Sequence, residues 1–300
     1  MRVLISGASG LVGTALSRAL SRDGHTIARL VRPGGGTAEG DVRWDPASGM
    51  IDSAALQAVD AVINLAGASI AGRRWTAASK AVLRGSRIDS TRLLVDAIAR
   101  IPRRPRVLVS ASATGYYGDR GDEVLTEASK PGSDFLALLV RDWEAEAMRA
   151  RAAGIRTVML RFGIILDSKG GALPKMLLPF RIGVGGQMGP GRQWMPWIAL
   201  ADAVQVARAA LLDERFEGAF NTVAPNPVRN SEFTRIAAKV LHRPAIFAVP
   251  GVALRVMLGE MAKPLLLASA RVVPDALTKI RCPFRFPELE PALHEMLRLR

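Results

Sequence analysis

Through its first half the chain alternates short unbroken apolar runs with stretches whose apolar residues recur every three to four positions. Val3 to Ile5 predicts a buried strand, and Leu11 to Arg22 a helix. Thr26 to Val31 reads as the second strand. A helical stretch, Ala54 to Ala58, precedes another strand at Ala61 to Leu65. Ser90 to Ala99 is helical by the spacing of Leu93, Leu94 and Ile98. Val107 to Ser110 is a strand, Asp134 to Ala153 a long helix, and Thr157 to Arg161 a strand. Strands alternating with helices indicate βαβ units and a parallel sheet. Unbroken apolar strands fit a sheet covered on both faces.

After Gly163 the pattern changes. Gly170-Gly171, Gly183, Gly185-Gly186 and Gly189-Pro190-Gly191 mark loops. Ala201 to Leu212 is again helical, and Gly218 to Val223 resembles a strand. Ser231 begins a helix and is expected to cap it. These patterns place one domain at 1–225, with 170–200 contributing to a substrate lobe. A small C-terminal domain, rich in Leu, Met, Pro and Arg, occupies 245–300.

The strongest local signal is Gly7-Ala8-Ser9-Gly10-Leu11-Val12-Gly13, which closes the first strand and opens the first helix. Gly7 permits a positive φ. Gly10 lets a pyrophosphate approach the backbone, and Gly13 lets helix and strand pack closely. The helix N-terminus then offers N–H groups to the anion. The fold class is therefore α/β: a Rossmann-type doubly wound parallel sheet with a smaller C-terminal substrate lobe. The second strand ends Arg29-Leu30-Val31-Arg32-Pro33, without the carboxylate that holds a ribose 2′-OH in NAD proteins. Arg32 stands in its place, with Arg29 to assist, and a guanidinium there suits a 2′-phosphate. The expected cofactor is NADP(H).

Composition narrows the alternatives. No apolar run reaches the ~18 residues of a membrane span, so no membrane partner is expected. The N-terminus reads as a buried strand of a cytoplasmic protein rather than a signal peptide. Cys282 is the only cysteine, and His25, His242 and His294 lie far apart, so no metal site is expected. The net charge of +14 comes from scattered arginines without interleaved aromatics. It is read as solvated basic faces, not as a nucleic-acid partner.

The glycine turn, Asn64-Leu65-Ala66-Gly67, and Ser110-Ala111-Ser112-Ala113-Thr114-Gly115-Tyr116-Tyr117-Gly118 together resemble an extended short-chain dehydrogenase/reductase. More narrowly the chain resembles the uncharacterised epimerase family proteins that carry a C-terminal domain of unknown function. Val42 to Pro46, Trp143-Glu144, Asn221 to Val228, Gly259 to Ala262 and Pro283 to Pro287 carry that likeness. The resemblance implies that Asn64, Leu65, Ala66 and Gly67 line the adenosine and ribose side of the cofactor. It implies Ser112 at the substrate oxygen, with Thr114 as substitute, and Arg161, Phe162 and Gly163 where nicotinamide and substrate meet. It implies a small-molecule substrate, and raises a homodimer through helices of the Rossmann lobe.

One departure bears on chemistry. Family enzymes carry Tyr-x-x-x-Lys on the helix after the Ser strand, to move a proton at the substrate oxygen. Here Leu136 and Val140 occupy those positions. Tyr116 and Tyr117, the chain's only tyrosines, either act as acid or wall the pocket. Trp194 and Trp197 either supply an apolar element of the substrate pocket or pack in the core. Two functions follow. One is an NADP(H)-dependent oxidoreductase or epimerase with altered acid/base groups. The other is a non-catalytic NADP(H)-binding sensor or scaffold.

Overall fold

The computed structural model describes residues 1–36 and 38–297. They fall into two compact units that interleave along the chain. The first comprises Met1–Ser112, Leu139–Leu160 and Val204–Ala219. The second comprises Ala113–Leu138, Arg161–Ala203 and the described residues from Phe220 onward.

The main sheet is built from β1 (Arg2–Ser6), β2 (Thr26–Val31), β3 (Val42–Asp45), β4 (Met50–Ile51), β5 (Ala61–Asn64), β6 (Val107–Ala113), β7 (Arg156–Phe162) and β8 (Gly218–Thr222). Their order is β8-β7-β6-β5-β1-β2-β3-β4. β1 pairs in parallel with β2 on one side and β5 on the other, so the strand order reverses beside β1. Ser6, the last residue of β1, faces Leu30 and Asn64 in register. Ligands of doubly wound sheets bind at this kind of reversal.

Helices α1 (Leu11–Arg22), α2 (Ser53–Leu56), α3 (Ala77–Gly85) and α4 (Ile88–Arg100) belong to the first unit. α4 forms where Ile88, Thr91, Leu94, Val95 and Ile98 recur at helical spacing, and that stripe is buried. Leu94 and Ile98 join Leu4, Trp44, Val62 and Leu108 in the core of this unit. Burying each such side chain contributes about 1.5–3 kcal/mol. The predicted helix at 134–153 is α5 (Phe135–Met148), followed by a 3₁₀ turn at Arg149–Ala153. Gly154, at φ +77°, ends it in the left-handed region. The β3–β4 hairpin was not predicted. Its strands are short, and only Val42 and Trp44 face inward.

In the second unit, α6 (Leu173–Arg181) and α8 (Asn230–Leu241) share a core of Leu173, Leu177, Phe180, Trp197, Phe233 and Leu293. α7 (Leu200–Leu212) lies between them in sequence, and α9 (Gly251–Leu258) follows α8. Ser231 does not cap α8. The helix begins one residue earlier, and the Asn230 side chain accepts from Met188 N at 2.8 Å while Ser231 N donates to Gly191. Among the described residues no helix is long and apolar enough to cross a membrane.

Asp202 ties α7 to the C-terminal segment within this unit. Its carboxylate accepts from Arg285 N at 2.7 Å and Phe286 N at 2.9 Å. Burial raises its pKa, and the two N–H groups oppose that shift. Asp202→Ala leaves both buried donors without their acceptor. It is expected to lower the unfolding free energy by about 1–3 kcal/mol, measured as a shifted urea midpoint at unchanged slope.

Candidate functional site

The turn after β1 is the tightest place in the first unit. Gly7 has φ +69°, and a Cβ there would sit 2.8 Å from the Leu65 backbone. A Cβ at Gly13 would sit 2.2 Å from Gly7 O. At Gly10 the nearest atom would be 3.3 Å away, so that position stays open outward. Gly7 and Gly13 let the chain approach itself, and Gly10 leaves its outer side clear. α1 starts with no side-chain cap and no acidic residue in its first turn. Its first N–H groups, at Leu11, Val12 and Gly13, therefore point into the space beside Ser9 and Gly10 without a side-chain acceptor. This cradle fits the pyrophosphate of a dinucleotide.

The end of β2 is basic. Arg32 is exposed, and among the described residues its guanidinium makes no hydrogen bond. Arg29, paired with it in the sequence reading, does not share that role. Its guanidinium is fixed on Asp41 by a 2.5 Å ion pair, and Asp41 also accepts from the Arg29 and Ala38 backbone.

Asn64 is fully buried, and its side chain is engaged within the protein. Its carbonyl oxygen accepts from Ser6 Oγ at 2.6 Å, and its amide donates to Thr91 Oγ1 and Ser110 Oγ. Trp143 Nε1 donates to the same Thr91 hydroxyl at 2.9 Å. This network ties β1, β5, β6, α4 and α5 together. Leu65 N and Ala66 N are held on Ser6 Oγ, which leaves Gly67 exposed. Beside Gly67 lies Arg87, which the sequence reading missed: a Cβ at Gly67 would be 3.1 Å from its guanidinium carbon. Arg87 is buried, donates to Ala68 O at 3.0 Å and lies over the Trp143 ring. Burial lowers its pKa to about 10. Among the described residues no carboxylate lies within ion-pair distance of it. Nothing in the local sequence marks Arg87, because its burial depends on α5.

Ser112, at the end of β6, is buried and donates to Glu144 Oε1 at 2.5 Å. Glu144 lies one turn beyond Val140 on α5. Leu136 and Val140, the positions of the absent Tyr and Lys, are both buried. The Glu144 carboxylate is thus the ionisable group that hydrogen-bonds Ser112.

The second unit holds the remaining candidates. Tyr117 is fully buried; its hydroxyl donates to Asn221 Oδ1 at 2.6 Å and accepts from Arg161 at 2.9 Å. Burial pushes its pKa up to about 12, against the pull of Arg161 and Asn221. Of the two roles open to it, the buried and doubly hydrogen-bonded hydroxyl favours a structural one over that of an acid. Arg161 is likewise spent inside the protein, 3.6 Å above the Tyr116 ring. Gly163 is explained by packing, since a Cβ there would sit 2.6 Å from Pro196 O. Thr114 is buried and reaches the Phe162 carbonyl at 3.4 Å. Tyr116 is half-buried, and among the described residues its hydroxyl makes no hydrogen bond. Trp197 is a core residue whose indole donates to Asn226 O, not a pocket wall. Trp194 donates to Asp122 and is flanked by Arg229 and Arg271 at under 5 Å, which makes it part of a packed cluster. Among the described residues no three His, Cys, Asp or Glu side chains converge as metal ligands.

A doubly wound sheet with a glycine turn at its reversal defines a Rossmann-type NAD(P)-binding protein. The chain belongs to the NAD dependent epimerase/dehydratase family, which it matches over residues 3–222; residues 249–296 match a domain of unknown function, DUF1731. It is 40% identical over 291 residues to the epimerase family protein Mb2239 of Mycobacterium bovis, covering 97% of this chain and 96% of that one. The crystal structure of human epimerase family protein SDR39U1 with NADPH matches with TM-score 0.89 and 33% identity over 99% of both chains. A nucleoside-diphosphate sugar epimerase from Corynebacterium glutamicum matches with TM-score 0.83 and 35% identity, over 99% of this chain and 58% of that one.

Tyr117 favours its neutral form more in the folded than in the unfolded chain. Its stabilising contribution is therefore present below pH ~10 and is lost as pH rises toward about 12. Ultraviolet titration of the phenols is expected to show one group ionising only near pH 12, and Tyr117→Phe removes that step.

Proposed function

We propose that the chain binds NADP(H) and acts as an oxidoreductase or epimerase on a small substrate, without the Tyr/Lys pair of its family. The observation that carries the cofactor choice is Arg32: an exposed guanidinium at the end of β2, where NAD proteins place a carboxylate. Bidentate, charge-assisted hydrogen bonds to a 2′-phosphate follow from that position. The NADPH in the human relative agrees with it.

The turn from Gly7 to Gly13 holds the pyrophosphate, with Leu11, Val12 and Gly13 donating backbone N–H groups. Leu65, Ala66 and Gly67 border the ribose side. NADP+, when bound, accepts the hydride as a substrate hydroxyl is oxidised, and NADPH returns it in the reverse direction. Ser112 meets the substrate oxygen. Because its proton points to Glu144 Oε1, its lone pairs accept from a substrate hydroxyl, and the carboxylate takes the proton passed along.

A second reading rests on Leu136 and Val140. Both are buried and apolar, as in a cofactor-binding sensor or scaffold without turnover. Cofactor-linked turnover of any carbonyl or alcohol substrate removes that reading.

Titration with NADPH and NADH, followed by tryptophan quenching, tests the cofactor choice. NADPH is expected to bind the more tightly. Arg32→Ala is expected to weaken NADPH by roughly ten- to a hundredfold and leave NADH unchanged, the loss of one charged hydrogen-bonding group. Equal affinities in the unsubstituted protein overturn the assignment.

A further inference from the structure

The second unit leaves apolar side chains of three neighbouring segments exposed. The short strand Phe247–Val249 pairs in parallel with Gly186–Met188, and α9 follows it directly. That pairing sets Ile246 and Phe247 beside Gly185 and Gly186. On α9, Val252 and Val256 stand one turn apart, with Met257 next to them. At the end of α6, Leu178 and Ile182 are likewise one turn apart, and Ile182 leads through a tight turn to the strand at Gly186. Ile246 is 81% exposed and Val256 74%; the others are at least half exposed. Side chains of this number and size leave on the order of several hundred Å² of apolar surface in water, as much as the largest patch on an ordinary monomer.

The segments that carry these residues are rich in basic side chains. Residues 168–201 contain Lys169, Lys175, Arg181 and Arg192 and no acidic residue. Residues 233–274 contain Arg235, Lys239, Arg243, Arg255, Lys263 and Arg271 against a single acid, Glu260. These two stretches hold nine of the chain's fourteen net positive charges. Arg181 directly precedes Ile182, Arg255 directly precedes Val256, and Arg243 lies three residues before Ile246; all three are exposed, and none forms an ion pair among the described residues.

We propose that this face is a docking surface for an anionic lipid membrane, with the aliphatic side chains of α9 and Ile246-Phe247 entering the headgroup layer and Arg181, Arg243 and Arg255 meeting lipid phosphates. α9 sets the exposed Val252, Val256 and Met257 around one basic residue, Arg255, and interfacial helices likewise carry basic residues beside aliphatic ones. Anionic headgroups attract such basic residues within a Debye length. A second copy of the chain brings the same positive rim against itself, so like charges oppose that pairing. The exposed residues are Ile, Val, Leu and Met with a single Phe, whereas protein partners select for Tyr, Trp and Arg at buried anchors. No membrane partner is expected from the sequence, because no uninterrupted apolar run reaches the length of a span. This face is assembled from three separated segments, none of them long.

Flotation of the full chain with vesicles tests the proposal. The protein is expected to float with vesicles of phosphatidylcholine containing one-third phosphatidylglycerol, not with phosphatidylcholine alone, and to be released by high salt. The double substitution Val256→Asp and Met257→Asp is expected to reduce bound protein about tenfold or more, at unchanged circular dichroism. Absence of binding to the anionic vesicles overturns the proposal, as does full binding by the folded double variant. A dimer seen by light scattering and broken by Val256→Asp, with no vesicle binding, assigns the face to a second copy and overturns it equally.

Discussion

The carbonyl of Gly7 occupies the space where a side chain at Gly13 would stand, and this close approach governs the first unit. Any Cβ at Gly13 would sit 2.2 Å from that oxygen, far inside van der Waals contact. The turn therefore closes only with glycine at both ends. Its closure aims the N-terminus of α1 at the reversal point of the sheet. The same turn abuts the end of β5 at Leu65, so strand register, helix direction and open phosphate cradle follow from one steric condition.

Around that turn, a buried polar network does the positioning. Ser6, Asn64, Thr91, Ser110 and Trp143 satisfy one another's hydrogen bonds across strands and helices. Buried polar groups are costly unless paired, so a network of this kind specifies one arrangement. It also explains how α5 keeps its place with apolar residues where its family has Tyr and Lys. Trp143 and Glu144 anchor the helix through Thr91 and Ser112, while Leu136 and Val140 pack.

In the second unit, Arg161, Tyr116, Tyr117 and Asn221 form a comparable buried cluster. Several residues that look chemical in sequence are structural here. Tyr117, Asn64 and Trp197 are polar or aromatic, and their positions beside motif residues invite a catalytic or binding reading. Their burial and fixed partners give them to packing. Arg87 shows the reverse: unremarkable in sequence, it is a buried charge beside Gly67, because α5 covers it with Trp143.

The strands and helices of the first half were legible because helix and strand periods differ, and because the glycine turn imposes a backbone that few other residues adopt. The cofactor class was legible for the same local reason: phosphate binding uses backbone N–H groups at fixed spacing. Short elements such as the β3–β4 hairpin were not legible, since four residues carry too few inward positions to show a period. Which hydroxyls, guanidiniums and indoles stay available was also beyond the sequence. That depends on neighbours far away along the chain: Asp41 for Arg29, Asn221 for Tyr117, Glu144 for Ser112. By itself the sequence determined the sheet, the turn and the missing Tyr/Lys pair, all of which depend on local spacing. Only the tertiary structure decided which polar groups are buried and paired, and which apolar residues of three separate segments stay exposed, because burial and pairing are properties of the packed chain.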